Sequence, residues 1–150
     1  MAKYAGEYSE TFTVDVPIEK AEAHFSDLET IAANYGGVAE YKVLKNSSLK
    51  LVLEPRTELG VTFEGWHTIR YTLSGDHVLK WKSVGKGNMS SKGIATFKSR
   101  GKKKTEIEYT DFIECDMEVN FLVAAIIGRA VSRQIKDGIR QYLKRMRKAL

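Results

Sequence analysis

A chain of 150 residues with 43% hydrophobic and 29% charged residues is neither disordered nor membrane-integral, and its length suits one domain over residues 1–150. The net charge of +5 is unevenly placed: residues 129–150 hold eight lysines and arginines against Asp137 alone, so the remainder is slightly acidic. One cysteine, Cys115, excludes an internal disulfide and a cysteine-based metal cluster.

The first ten residues, MAKYAGEYSE, lack the apolar stretch of a signal peptide, and a cytoplasmic protein is the simple expectation. The elements then follow in order. Residues 6–16 alternate, with Tyr8, Phe12, Val14 and Val16 on one side, as in a half-buried strand. Pro17 suits a first helical position, so 17–25 reads as a short helix. SDLE at 26–29 has a capping-box pattern, with Ser26 as cap, and predicts a second helix to about Asn34, ended by Gly36 and Gly37.

From 38 to 117 the period is two. The segments 38–45, 49–59, 61–73, 77–84, 89–99 and 105–117 read as six strands joined by short turns, which implies an antiparallel meander. Parity places Leu49, Leu51 and Leu53 together, then Phe63, His67, Ile69 and Tyr71. Gly65 is a candidate bulge that would redirect His67. Parity also groups Leu79 with Trp81, Met89 with Ser91, Gly93, Ala95 and Phe97, and Ile107 with Tyr109, Asp111, Ile113 and Cys115.

NFLVAAIIGRAV at 120–131 opens a helix that runs to the C-terminus. Its apolar run is far short of a membrane span. The greasy front therefore predicts burial by the sheet on one side and by the short helices or loops on another. Beyond Gly128 a 3.6 period separates an apolar stripe (Ala124, Ile127, Val131, Ile135, Ile139, Tyr142, Met146) from a basic one (Arg129, Arg133, Lys136, Arg140, Lys144, Arg147). Gly128 and Gly138 flank the apolar stripe, where spare volume or close backbone approach is expected.

One strand, two small helices, six strands and a long last helix is an α+β layout, a curved seven-stranded antiparallel sheet wrapped around the C-terminal helix. That order, with VPIEKAEAHFSDLE after the first strand and VNFLVAAIIGRAV opening the last helix, resembles the SRPBCC superfamily. This group includes START lipid-transfer, polyketide cyclase-like and coenzyme Q-binding proteins. Where cyclase and coenzyme Q-binding members carry an aromatic Pro-Trp-type stretch, this chain has DLETIAANYGG. The resemblance implies a helix-grip fold with an apolar cavity between sheet and long helix. It also implies a role in binding or carrying a small hydrophobic ligand: a lipid, isoprenoid, quinone or polyketide-like molecule.

The chain has no phosphate-binding glycine loop and no clustered histidines, so neither a cofactor nor a metal is expected. The expected ligand-binding set is Phe12, Leu51, Phe63, His67, Ile69, Tyr71, Trp81, Ser91, Phe97, Tyr109 and Asp111, with Ala124, Ile127, Gly128 and Val131 of the last helix. In it, His67 and Asp111 would orient a polar end. A His–Asp pair could instead serve as general acid and base, the reading for a cyclase- or dehydratase-like enzyme. The basic stripe reads first as a solvated face, then as a surface for transient contact with an anionic membrane or a protein partner. Nucleic acid is not expected, because no aromatic residues are interleaved with the charges. Oligomeric state is left open.

Overall fold

The computed structural model describes residues 2–150. In chain order the elements are β1 (Ala2–Val14), α1 (Ile18–Ser26), α2 (Leu28–Tyr35), β2 (Val38–Leu44), β3 (Ser48–Leu53), β4 (Arg56–Glu58), β5 (Val61–Phe63), β6 (Trp66–Ser74), β7 (Val78–Val84), β8 (Met89–Ser99), β9 (Thr105–Met117) and α3 (Phe121–Lys148). Seven strands form one antiparallel sheet in the order β1-β9-β8-β7-β6-β3-β2. β4 and β5 form a separate two-stranded hairpin. β1 is the one strand out of sequence, and it pairs with β9 along its whole length, from Ala2–Met117 to Val14–Thr105.

Three local expectations change. The first strand begins at Ala2, four residues earlier than the alternation showed, because Tyr4 packs on the last helix and donates its hydroxyl to the Ala124 carbonyl at 3.0 Å. The two long apolar runs each break near a proline or glycine, giving β3/β4 and β5/β6 rather than two continuous strands. Parity nevertheless survives Gly65, so His67, Ile69 and Tyr71 share the buried face, whereas Leu73 is exposed at the sheet end. The cap of α2 is Asp27, not Ser26: Asp27 accepts from the Thr30 N–H at 3.0 Å, while the Ser26 hydroxyl is taken by the Glu22 carbonyl at 2.6 Å.

α3 lies across the concave face, with Ile127, Val131, Ile139, Tyr142, Leu143 and Met146 buried. α1 and α2 close over its C-terminal half. His24 Nε2 bonds the Met146 carbonyl at 2.8 Å, and Arg145 donates to the Asn34 and Tyr35 carbonyls at 2.7 and 3.0 Å. Phe25 of α1 wedges between Phe12 and Phe97, with ring centroids 6.0 and 6.2 Å away.

The front of α3 departs from expectation. Ile127 is fully buried, but Phe121, Leu122 and Ile126 are 82%, 67% and 67% exposed. The short helices sit at the other end, and β1 packs on this stretch through Tyr4. Gly128 offers no spare volume either: an added methyl would lie 3.2 Å from the Tyr4 ring. The basic stripe is also not uniform, because Arg147 bonds Glu10 at 2.9 Å with its guanidinium over the Phe12 ring.

Candidate functional site

Between the sheet and α3 lies a cavity of about 170 Å³. Its inner wall is the same-parity row Met89, Ser91, Tyr109, Asp111, Ile113, Cys115 and Met117 on β8 and β9, with Tyr71 of β6. Its roof is Val131, Ile135, Gly138, Ile139 and Tyr142 on α3, with Tyr35 at the end of α2. Leu53, Arg56, Glu58, Val61, Phe63, Gly36 and Gln134 complete it, and the exposed Arg56, Gly36 and Gly138 mark its mouth. Gln134 donates to Glu58 Oε2 at 2.7 Å, which ties the β4–β5 hairpin to α3.

The polar centre is Asp111, whose placement follows from one glycine. Trp81, Gly93 and Asp111 are directly paired across β7, β8 and β9. A side chain at 93 would collide with the indole, since a methyl there would fall 2.2 Å from Trp81 Cζ2. With hydrogen in its place, the indole lies across the strand and donates Nε1–H to Asp111 Oδ1 at 3.0 Å. The Ser91 hydroxyl donates to the same oxygen at 2.8 Å. Oδ2 receives no side-chain hydrogen bond among the described residues. Burial pushes the Asp111 carboxyl up to about 6, against the opposing pull of Trp81, Ser91 and the Phe112 backbone N–H.

His67 lies behind this wall. Ser83 Oγ accepts the Ser91 N–H at 2.8 Å and lies 2.9 Å from His67 Nδ1. His67 Nε2 is hydrogen-bonded with the Tyr35 hydroxyl at 3.3 Å. Burial lowers the imidazole to about 4, so it is neutral at pH 7. His67 therefore positions Tyr35 and does not meet Asp111; the expected His–Asp pair does not form. Tyr35, Tyr71, Tyr109 and Tyr142 are held protonated by burial and by the Asp111 charge. Burial pushes the Cys115 thiol up to about 11, which leaves it a poor nucleophile.

Of the expected set, Phe63, Tyr71, Ser91, Tyr109, Asp111 and Val131 line the cavity. Phe12 and Phe97 pack on Phe25, Leu51 and Ile69 are buried in the core outside the cavity lining, and Trp81 stands one layer behind Asp111. Ala124, Ile127 and Gly128 precede the roof, where Tyr4 fills the space. Parity thus finds the concave face but not which end of it is open. Tyr35, Gly138 and Tyr142 are lining residues that the sequence reading did not select. Tyr142 and Gly138 were already on or beside the apolar stripe, and Tyr35 directly precedes the Gly36–Gly37 corner.

Solved structures align with the chain over nearly its full length. The Zhui aromatase/cyclase from Streptomyces sp. R1128 has a TM-score of 0.73 at 11% identity, covering 97% of this chain and 93% of that one. A START superfamily protein from Mycobacterium smegmatis gives 0.61 at 14%, covering 96% and 99%. The chain shares their fold, the helix-grip fold. A truncated norcoclaurine synthase from Thalictrum flavum gives 0.62 at 8%, covering 99% and 95%. No family model and no curated protein matches the sequence. At these identities the likeness is one of fold, and what the site does rests on its own residues.

Proposed function

We propose that this protein binds a small, mostly apolar molecule of about one-ring size in the cavity, with the polar end of the ligand at Asp111. The observation that carries this reading is the cavity itself. Its volume of about 170 Å³ lies close to the roughly 150 Å³ at which an engineered apolar pocket accepts benzene. It is mainly apolar, and its polar groups converge at one place, as in ligand sites generally. Cyclisation or dehydration by the expected His–Asp pair finds no support, since His67 faces Tyr35 and Ser83. Native mass spectrometry of protein purified from its own host should reveal a co-purifying small mass. The Gly138→Leu variant, whose side chain would start from open space at the mouth, should lose that mass while keeping wild-type circular dichroism. Repeated empty preparations would count against the reading.

A second reading concerns the outer face of α3. Leu122, Ile126, Arg129, Arg133 and Lys136 follow one another at spacings of four and three, so exposed apolar residues lead directly into cations on one face. None of these three cations forms a salt bridge among the described residues. That arrangement matches an anionic bilayer surface, with apolar side chains inserted at the interface and each cation contributing about 1 kcal/mol. Co-sedimentation with phosphatidylserine-containing vesicles should exceed that with neutral vesicles and fall for Arg129→Glu/Arg133→Glu. Equal binding to both vesicle types would remove the idea.

A further inference from the structure

We propose that the cavity selects an organic cation, a one-ring primary amine whose ammonium group sits against Asp111 among the four tyrosines. This rests on the cavity being a ligand site and adds the chemical class of the ligand.

Asp111 is 7% exposed. No lysine or arginine forms a salt bridge with it among the described residues. The groups facing it from each packed element are neutral: Tyr35 of α2, Tyr71 of β6, Trp81 of β7, Ser91 of β8, Tyr109 of β9 and Tyr142 of α3. His67, behind Tyr35, is neutral too. The charged groups are more distant. Arg145 of α3 is engaged with the Asn34 and Tyr35 carbonyls, the Glu10–Arg147 pair joins β1 to α3, and Arg56 and Glu58 stand together at the mouth with opposite signs.

A buried carboxylate normally has a cationic partner, because its desolvation is otherwise uncompensated. Here the missing partner is a ligand-sized space. Oδ2 is free of side-chain donors, and the phenol rings supply negative faces that attract a cation. All four tyrosines sense the negative field of Asp111, so an anionic ligand would be repelled from the same place.

Benzylamine and benzyl alcohol are near-isosteric probes that differ in this charge. Calorimetry at pH 7.5 should show benzylamine binding at least about tenfold more tightly. Asp111→Asn keeps an oxygen for Trp81 and Ser91, and should remove that preference while leaving benzyl alcohol unchanged. In the wild type, acidification from pH 7.5 to 5 protonates Asp111 and should weaken benzylamine binding, again with little change for the alcohol. Equal affinities, or tighter alcohol binding, would overturn the cation assignment and leave the cavity reading standing. Binding of neither probe would overturn both. Preference that persists in Asp111→Asn and at pH 5 would place the ammonium elsewhere and also overturn the proposal.

Discussion

Asp111 and His67 titrate over the same pH range with opposite consequences for stability. The folded-state value of Asp111 is raised to about 6, so its contribution is fully present below the unfolded value near 4 and is lost as pH rises through 6. The folded-state value of His67 is lowered to about 4, so its contribution is present above the unfolded value near 6.5 and is lost as pH falls towards 4. Each shift is worth about 3 kcal/mol, so the two nearly cancel between pH 4 and 6.5. Asp111→Asn should expose the His67 effect, with stability falling on acidification through this window more steeply than in the wild type. His67→Gln should expose the opposite slope. Urea titrations at pH 7 and pH 4.5 measure both, and parallel pH profiles for the two variants would refute the assignment. Gly93 is the other decisive single residue. Gly93→Ala should displace the indole from Asp111, cost about 1–3 kcal/mol as overpacking, and change the near-ultraviolet circular dichroism of Trp81.

Two glycines ten residues apart on α3 carry opposite expectations. Gly138 has open space where a Cβ would go, so Gly138→Ala should gain up to about 1 kcal/mol from helix propensity. Gly128 is pressed by Tyr4, so Gly128→Ala should gain less or lose stability, and thermal melts of the two variants should rank accordingly. Sequence alone marked both as sites of special packing but could not separate them. The partner that fills one site is Tyr4, 124 positions away and ahead of the alternation that signalled the strand. The same limit applies to the concave face. Period two placed Ser91, Asp111 and Tyr71 inward because alternation is local to each strand. Which end of the groove stays open depends on Phe25, carried in by a short helix whose docking no local period encodes. The exposed front of α3 was misread for a related reason. An all-round apolar segment predicts cover on both sides, and the placement of α1 and α2 at the other end of the helix leaves one side uncovered.

Across the molecule, the long sheet and the small hairpin have different mechanical standing. β1, β8 and β9 are 13, 11 and 13 residues long and pair over most of their length, and α3 packs on β1 at Gly6. β4 and β5 have three residues each and pair only with each other. The hairpin carries Arg56, Glu58, Val61 and Phe63 to the cavity, so its opening widens the mouth without disturbing the sheet. Short, exposed strands open with little free energy, whereas central strands exchange only on global unfolding. Amides of 56–63 should therefore exchange far faster than those of 107–115, and a bound probe should slow them selectively. The side-chain bond from Gln134 to Glu58 is the hairpin's tie to α3, so Gln134→Ala should raise both the association and dissociation rates of the probe with little change in their ratio. A change in affinity without a change in rates would instead assign Gln134 to ligand contact. Uniform protection of hairpin and central strands would show that the mouth does not open this way.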